Sequence, residues 1–361
     1  MENIDIIYQR IIYREREKGL NYTLEDLYKS PLEHQQALSI VFLVALVISC
    51  ITGIIGNTLV VGAVIVSKKL RTTGNMFIVN LAIADLIVVV IVEPFNYVGI
   101  IHGAGPYIEN VWLCHLVSII CVMACASSMM NLAAIAVNRY IMINKFQLYK
   151  RIFTKKKTLC ICILLWIIAF LIELPNLTGW GGHTFDLKTL GCSFDRLISL
   201  SYTIFLSITA LYIPLLLILF CYVKIFLFVR RSRRQIVKKA ISNSKDKSKK
   251  AKTDEVRLAR TFFIVFVSFL VCWTPYDLTL FFDRSDTWPS WLYVMFMQVG
   301  HFNSSLNSIL YGFTNRHFRE GYKEFLSKCI PGFRKIYEVE QYKSSQATSE
   351  TSLSGSDNEK L

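Results

Sequence analysis

The apolar residues of this chain come in long uncharged runs rather than at the spacing of half-buried helices, and such runs mark helices that cross a bilayer. Seven candidate spans follow: Leu38 to Val66, Asn75 to Ile101, Val111 to Ile143, Thr158 to Leu174, Leu197 to Val229, Arg257 to Phe282 and Trp291 to Phe313. Each is long enough for a hydrocarbon core about 30 Å thick. The pattern predicts an all-α integral membrane protein, a seven-transmembrane helix bundle over residues 38–313. In residues 314–330 the periodicity changes. Phe318, Tyr322, Phe325 and Leu326 share one face, with Arg316, Arg319, Lys323 and Lys328 elsewhere, so an amphipathic eighth helix is expected in the inner interface. Residues 1–37 are expected to be an extracellular segment too short for a folded ligand-binding domain. Met1 to Ser30 lacks an apolar stretch of signal-peptide type, so the first span is expected to target the chain itself. Residues 331–361, Ser/Thr-rich and acidic from Ser344 onward, are expected to form a disordered cytoplasmic tail open to phosphorylation.

Charge sets the expected orientation. The chain of 361 residues is 53% hydrophobic and 18% charged, with a net charge of +14. Lys68, Lys69 and Arg71 follow the first span, and Lys145, Lys150, Arg151, Lys155, Lys156 and Lys157 follow the third. Arg230 to Arg260 holds thirteen basic residues against Asp246, Asp254 and Glu255, a net +10. The opposite loops carry little more than Lys188, Arg196 and Arg284. By the positive-inside rule the N-terminus lies outside the plasma membrane and the C-terminus inside, with 230–256 a cytoplasmic loop. Basic residues that flank spans on one side argue against a nucleic-acid partner.

The ten cysteines include no CxxC pair and so no zinc-type pattern. Cys50, Cys121, Cys125, Cys160, Cys162, Cys221 and Cys272 lie within apolar runs and read as packing residues. Cys114 and Cys192 sit at span edges on the outer, oxidising side, where a disulfide is expected. Cys329, ending the amphipathic helix, is a candidate for palmitoylation. Asn21-Tyr22-Thr23 is a glycosylation sequon, whereas the sequon at Asn176 abuts the bilayer too closely.

A strongly polar side chain inside a span costs about 2.5 to 3.5 kcal/mol on insertion scales and needs a partner or a purpose. Asp85 in the second span, with Asn57, Ser128, Asn131, Asn303, Ser304 and Asn307, offers hard oxygen ligands around one carboxylate. Asp85, Ser128, Asn303 and Asn307 are the candidate sodium ligands, and a hydrated polar network is the alternative. Nearer the outer side, Glu93, Asn176, Arg196, Asp277, Gln298 and His301 suggest a ligand pocket, with Cys121 and Trp273 also expected to line it, although Asp277 and His301 could instead pair with each other. At the inner side, Asn138-Arg139-Tyr140 closes the third span and Glu255 starts the sixth, so an Arg139 to Glu255 ion pair could latch the two together. Cys272-Trp273-Thr274-Pro275 lies between these regions. Its proline frees a backbone carbonyl and bends the helix beside a bulky indole, which makes a candidate hinge.

Taken in order, these marks resemble the rhodopsin-like (class A) G-protein-coupled receptors: Gly56-Asn57, Leu81-Ala82-x-Ala84-Asp85, Cys114, Asn138-Arg139-Tyr140, Trp166, Pro214 and Tyr222, Cys272-Trp273-x-Pro275, and Asn307-x-x-x-Tyr311. The resemblance covers Ile40 to Lys328. Within that family the chain is most similar to melatonin receptors and their invertebrate relatives, through Asn138-Arg139-Tyr140, Gly74-Asn75-Met76-Phe77, Leu174-Pro175-Asn176 and the run Phe302 to Gly312, which lacks the usual proline after Asn307. The resemblance implies a cell-surface receptor that binds an extracellular ligand and activates a heterotrimeric G protein, of the inhibitory class. It implies a receptor kinase and an arrestin as partners at the tail, with lipid around the spans. It places Asn176 where melatonin receptors contact the methoxy group, Phe194 where they stack on the indole, and Tyr222, Asn307 and Tyr311 among the activation switches.

The departures change the expected ligand. Arg196 stands where those receptors have a glutamine, Ala210 where they have a histidine, Asp277 for an asparagine, Leu280 for a glycine and His301 for a tyrosine. A neutral indole amide would leave the acid, imidazole and guanidinium unsatisfied. That argues against melatonin and for a small polar ligand or short peptide. Cys121, at the position of the aminergic aspartate, argues against a standard monoamine. A channel or transporter with Asp85, Glu93 and Asp277 lining a path is the alternative, but the paired repeats it requires are not evident. No metal cluster or nucleophile triad suggests an enzyme, and no cofactor beyond sodium is expected.

Overall fold

A computed structural model of the chain describes residues 9, 11–15, 23, 25–29, 36–239 and 246–335, with the backbone alone described in 232–239, in 246–259 and at 262. Among the described residues six helices are long and apolar enough to cross a membrane: Gln36–Val66, Thr73–His102, Val111–Asn144, Lys155–Leu177, Leu200–Arg231 and Phe263–Phe282. The seventh span is Ser290–Thr314, less apolar because His301, Asn303, Ser304, Asn307 and Ser308 turn their polar groups into the bundle. The expected amphipathic helix is Arg316–Cys329. Two features modify the sequence expectations at the inner side. The fifth and sixth helices extend to Lys239 and from Asp246, so much of the segment expected as the loop 230–256 is helical. Residues 331–335, expected to be disordered, form a further helical turn. Asn21 and the tail beyond 335 lie outside the described residues.

Small residues and amide side chains fasten the bundle, as they must where no water satisfies polar groups. A Cβ on Gly56 would lie 1.9 Å from Ser308 Oγ, so only glycine lets the first and seventh spans come this close. Nearby, Asn57 Nδ2 donates to Ser304 O at 2.9 Å and Ser305 Oγ to Ser49 O at 2.8 Å. Asn80 joins three helices: its Nδ2 donates to Asn131 Oδ1 at 2.9 Å, and its Oδ1 accepts from Trp166 Nε1 at 3.0 Å. At the inner interface Phe318, fully buried, stacks on Tyr311 with centroids 5.3 Å apart, and Tyr322 donates to Ser308 O. This seats the amphipathic helix under the first and seventh spans.

The outer face is capped rather than open. Strands β1 (His183–Asp186) and β2 (Gly191–Phe194) pair antiparallel, and the Cys114–Cys192 disulfide ties β2 to the third span. The N-terminal segment contributes: Arg14 pairs with Asp195 at 3.0 Å, and the fully buried Leu27 accepts at its carbonyl from Ala104 N–H. Arg196 bonds Asp186 at 3.2 Å and Asp286 more closely, with its guanidinium 4.7 Å from the centre of the Tyr293 ring. Burial by itself pulls this guanidinium down, but the two carboxylates outweigh that and hold it above its ordinary value. Arg196 therefore stays charged and clamps the hairpin to the loop between the sixth and seventh spans.

Removing one partner of a buried pair strands the others, at a cost of about 3–5 kcal/mol. Arg196→Ala is therefore expected to lower the thermal midpoint of the purified receptor well below that of Lys69→Ala. Lys69, largely exposed, pairs with the partly exposed Glu320 at 3.8 Å, and such a surface pair contributes about 0–1 kcal/mol. Equal midpoints for the two variants would show that the clamp does not hold the cap.

Candidate ligand pocket

Beneath the cap lies a cavity among the third, fifth, sixth and seventh spans, roofed by Ser193 and Phe194 of β2. Val122, Ala126, Met129, Leu206, Ala210, Leu280 and Met297 make most of its wall apolar, and Cys121, Cys125, Phe269, Trp273 and Tyr276 complete the floor and sides. Among the described residues lining it, Asp277 alone carries a charged group. The mostly apolar lining with few convergent polar groups is that of a small-molecule site.

Asp277 is held by the fifth span. Its Oδ1 accepts from Ser207 Oγ at 3.2 Å and its Oδ2 from the Tyr212 hydroxyl at 2.7 Å. In an α-helix residues five apart point roughly 140° away from each other. Here Ser207–Tyr212 is a π-helical turn, whose backbone bonds link residues five apart and bring both side chains to one carboxylate. Pro214, which has no N–H to donate within the helix, stands two residues after Tyr212. Ser207 and Tyr212 were not expected as site residues. The signal that could have found them is a hydroxyl pair five apart ahead of a proline.

The sequence-derived pocket residues divide. Cys121, Phe194, Trp273 and Asp277 line the cavity, whereas Glu93, Asn176, Arg196, Gln298 and His301 do not. Arg196 belongs to the cap. Asn176 is buried with His183 and Tyr202 around the Glu173 carboxylate, with Asn176 Nδ2 3.2 Å and the Tyr202 hydroxyl 3.0 Å from its oxygens. Glu93 accepts from Ser49 at 2.7 Å and from the Cys50 thiol at 3.0 Å, just beyond a second π turn, Val88–Val92. Gln298 donates to Phe42 O at 3.1 Å. Glu93, Gln298 and His301 instead line a separate hollow between the first, second and seventh spans. His301 does not pair with Asp277. Its Nδ1 accepts from Asn96 Nδ2 at 3.3 Å and its Nε2 lies 3.7 Å from Cys121 Sγ. The outer polar residues had suggested one site because each is polar in a span. Most of them satisfy one another between helices instead.

Below the cavity, Trp273 packs edge-on to His301 with centroids 5.8 Å apart and lies against Phe269 and Tyr276, with Pro275 inside the same helix. Deeper still, Asp85 is fully buried and accepts from Ser128 Oγ at 3.3 Å and Asn307 Nδ2 at 2.8 Å. The side-chain oxygens of Asn303 and Asn307, also buried, have no hydrogen-bond partner among the described residues. At the inner end Arg139 is buried beside Asn138, and it lies within electrostatic reach of Tyr222 and Tyr311. Tyr140 packs on Phe220. The Glu255 side chain falls where only the backbone is described, so its expected pairing with Arg139 lies outside the described residues.

Comparison with known proteins agrees with this arrangement. The profile of the 7 transmembrane receptor (rhodopsin family) matches residues 56–311. The melatonin receptor type 1A of Mus musculus is 32% identical over 289 residues, covering 78% of each chain. The melatonin receptor type 1C of Gallus gallus is 32% identical over 287 residues, covering 78% of this chain and 80% of its own. The crystal structure of squid rhodopsin superposes with a TM-score of 0.68 at 23% identity, over 81% of this chain and 86% of that one, which supports the fold. Matched along most of its length in sequence and in fold, this chain belongs to the rhodopsin-like, class A G-protein-coupled receptors, a family of membrane-spanning signalling receptors and not enzymes, and within it is similar to the melatonin receptors.

Proposed function

We propose that this receptor responds to a small, largely apolar ligand bearing one cationic or strongly hydrogen-bond-donating group, and that it signals through an inhibitory heterotrimeric G protein. The observation that carries the reading is Asp277, the charged group in an otherwise apolar cavity wall. A carboxylate there favours a ligand that brings a positive charge or a donor to it, since any other ligand would leave it further desolvated and unmatched. This reading departs from the sequence expectation against a standard monoamine, because Asp277 on the sixth span supplies to the same cavity the carboxylate that Cys121 does not supply on the third. A cavity roofed by β2 favours a small molecule over a peptide. The melatonin-receptor relatives suggest the inhibitory class of G protein. In this reading the ligand shifts Trp273 and the Pro275 bend, and the sixth span then moves at its inner end relative to Arg139, a change of population between two helix packings. An Arg139 to Glu255 latch, receptor kinase and arrestin at the tail, glycosylation at Asn21 and palmitoylation at the exposed Cys329 belong to the same reading.

The reading includes a sodium ion at Asp85, with Ser128, Asn303 and Asn307 supplying further oxygens. The residues present fit such an ion, because buried amide oxygens on Asn303 and Asn307 lack hydrogen-bond partners among the described residues and stand on the helix that contacts the carboxylate. When bound, the ion would neutralise the Asp85 charge between the second, third and seventh spans.

The experiment is a G-protein dissociation assay in cells, with a panel pairing arylalkylamines with their neutral N-acetyl counterparts, melatonin included. Amines are expected to activate the receptor and the neutral amides to fail. Asp277→Asn should lower amine potency by about 10- to 100-fold, the 1.5–3 kcal/mol of a charge-assisted hydrogen bond. Arg139→Ala at equal surface expression should abolish the response. Equal potency of amine and amide, unchanged by Asp277→Asn, would overturn the ligand assignment. For the ion, replacing sodium by a large organic cation should alter agonist potency in the parent but not in Asp85→Asn, and an equal sodium effect in both would remove Asp85 from the site.

A further inference from the structure

Cys121 and Cys125 lie one helical turn apart on the third span, so both thiols face the same way. They face His301 of the seventh span. Their sulfurs and a ring nitrogen of His301 all lie within 4.8 Å of one another, and Cys121 Sγ is 3.7 Å from His301 Nε2. The missing CxxC pattern hid a helical Cys-x-x-x-Cys with a distant histidine beside it. A tetrahedral zinc centre with bonds of about 2.3 Å to sulfur and about 2.0 Å to nitrogen has ligand-to-ligand edges of roughly 3.5–3.8 Å. One edge already matches. The longest would have to contract by roughly 1 Å, within the reach of a cysteine rotamer change.

We propose that Cys121, Cys125 and His301 form a three-ligand site for a thiophilic divalent cation, Zn²⁺ foremost, whose fourth position opens into the ligand cavity. Thiolate and imidazole together select such ions over Na⁺, Mg²⁺ or Ca²⁺. Two thiolates cancel the charge of the dication, so the closed site places no net charge in the low-dielectric bundle. Cys121 and Cys125 both line the cavity, which supplies the entry path and room for a water or a ligand heteroatom. Asn96 supplies the outer contact. Its amide lies 3.3 Å from His301 Nδ1, and a half-turn of that amide lets its oxygen accept the Nδ1 proton and leaves Nε2 free to bind metal. A metal here would join the third span to the seventh beside Trp273, whose ring is 5.8 Å from that of His301. The inference rests on this geometry and not on the ligand or G-protein assignment, so the two stand or fall separately.

The test is a Co²⁺ titration of the full-length receptor in lipid nanodiscs, in a background carrying Cys160→Ser and Cys329→Ser to remove the exposed thiols. A thiol count under denaturing conditions precedes it. One equivalent of Co²⁺ is expected to produce tetrahedral ligand-field bands with sulfur-to-metal charge transfer, abolished by Zn²⁺. Cys125→Ser, nearly isosteric, should eliminate the charge-transfer band, as should His301→Ala. Asn96→Ala should keep the spectrum while weakening binding by about 10- to 100-fold. Failure of the parent to give the bands, their persistence in Cys125→Ser and His301→Ala, or a thiol count showing Cys121 and Cys125 already joined as a disulfide would each overturn the proposal.

Discussion

The constraint on which this structure depends is that a polar group inside the hydrocarbon must find its partner within the protein. Glu93, Glu173, Asp85 and Asp277 are all buried, and each is met by donors from neighbouring helices. Asn57, Asn80 and Asn131 do the same for helix packing. The bundle is thus tied together along its length by contacts that apolar packing alone could not make specific. Where a carboxylate stands beside a cavity instead of filling a helix interface, the same requirement leaves capacity for a ligand. That is the position of Asp277.

Two π turns place the polar groups at pocket depth. Val88–Val92 lies immediately before Glu93, and Ser207–Tyr212 gathers two hydroxyls onto Asp277. Both interrupt the regular helix where side chains must be re-aimed, which is how such turns serve functional sites. The cap above is built by different means. Charge pairs join the N-terminal segment, the β hairpin and the loop ahead of the seventh span, with Arg196 at the centre and Asp283 alongside. Burial pushes the Asp283 carboxyl up, but hydrogen bonds from Thr287 and Trp288 N–H and the Tyr293 hydroxyl outweigh it and hold it below its ordinary value.

The sequence carried the architecture well because the membrane writes it coarsely. Long apolar runs mark the seven spans, though not how far the fifth and sixth helices extend past them at the inner side, and the alternation after Thr314 fixes the interfacial helix. The pocket was less legible. Polarity within a span shows that a residue needs a partner but not whether that partner is another helix or a ligand. Asn176 and Glu93 have protein partners, and Arg196 meets Asp186 and Asp286, whose positions depend on loop conformation that no periodicity encodes. Ser207 and Tyr212 were hidden because their convergence requires a helix that is not α-helical. The grouping of Cys121 and Cys125 with His301, far apart in the chain, appears only once the third and seventh spans are packed.

The central claim is that Asp277 is a carboxylate held at the cavity wall by the π turn of the fifth span. A double-mutant cycle on the purified, ligand-free receptor, using thermal midpoints of Tyr212→Phe, Asp277→Ala and the double variant, tests it most directly, since alanine leaves no acceptor for the Tyr212 hydroxyl. If the 2.7 Å hydrogen bond forms as described, the double variant melts no lower than the less stable single variant, because the second change removes a contact already lost. Fully additive losses would contradict the account.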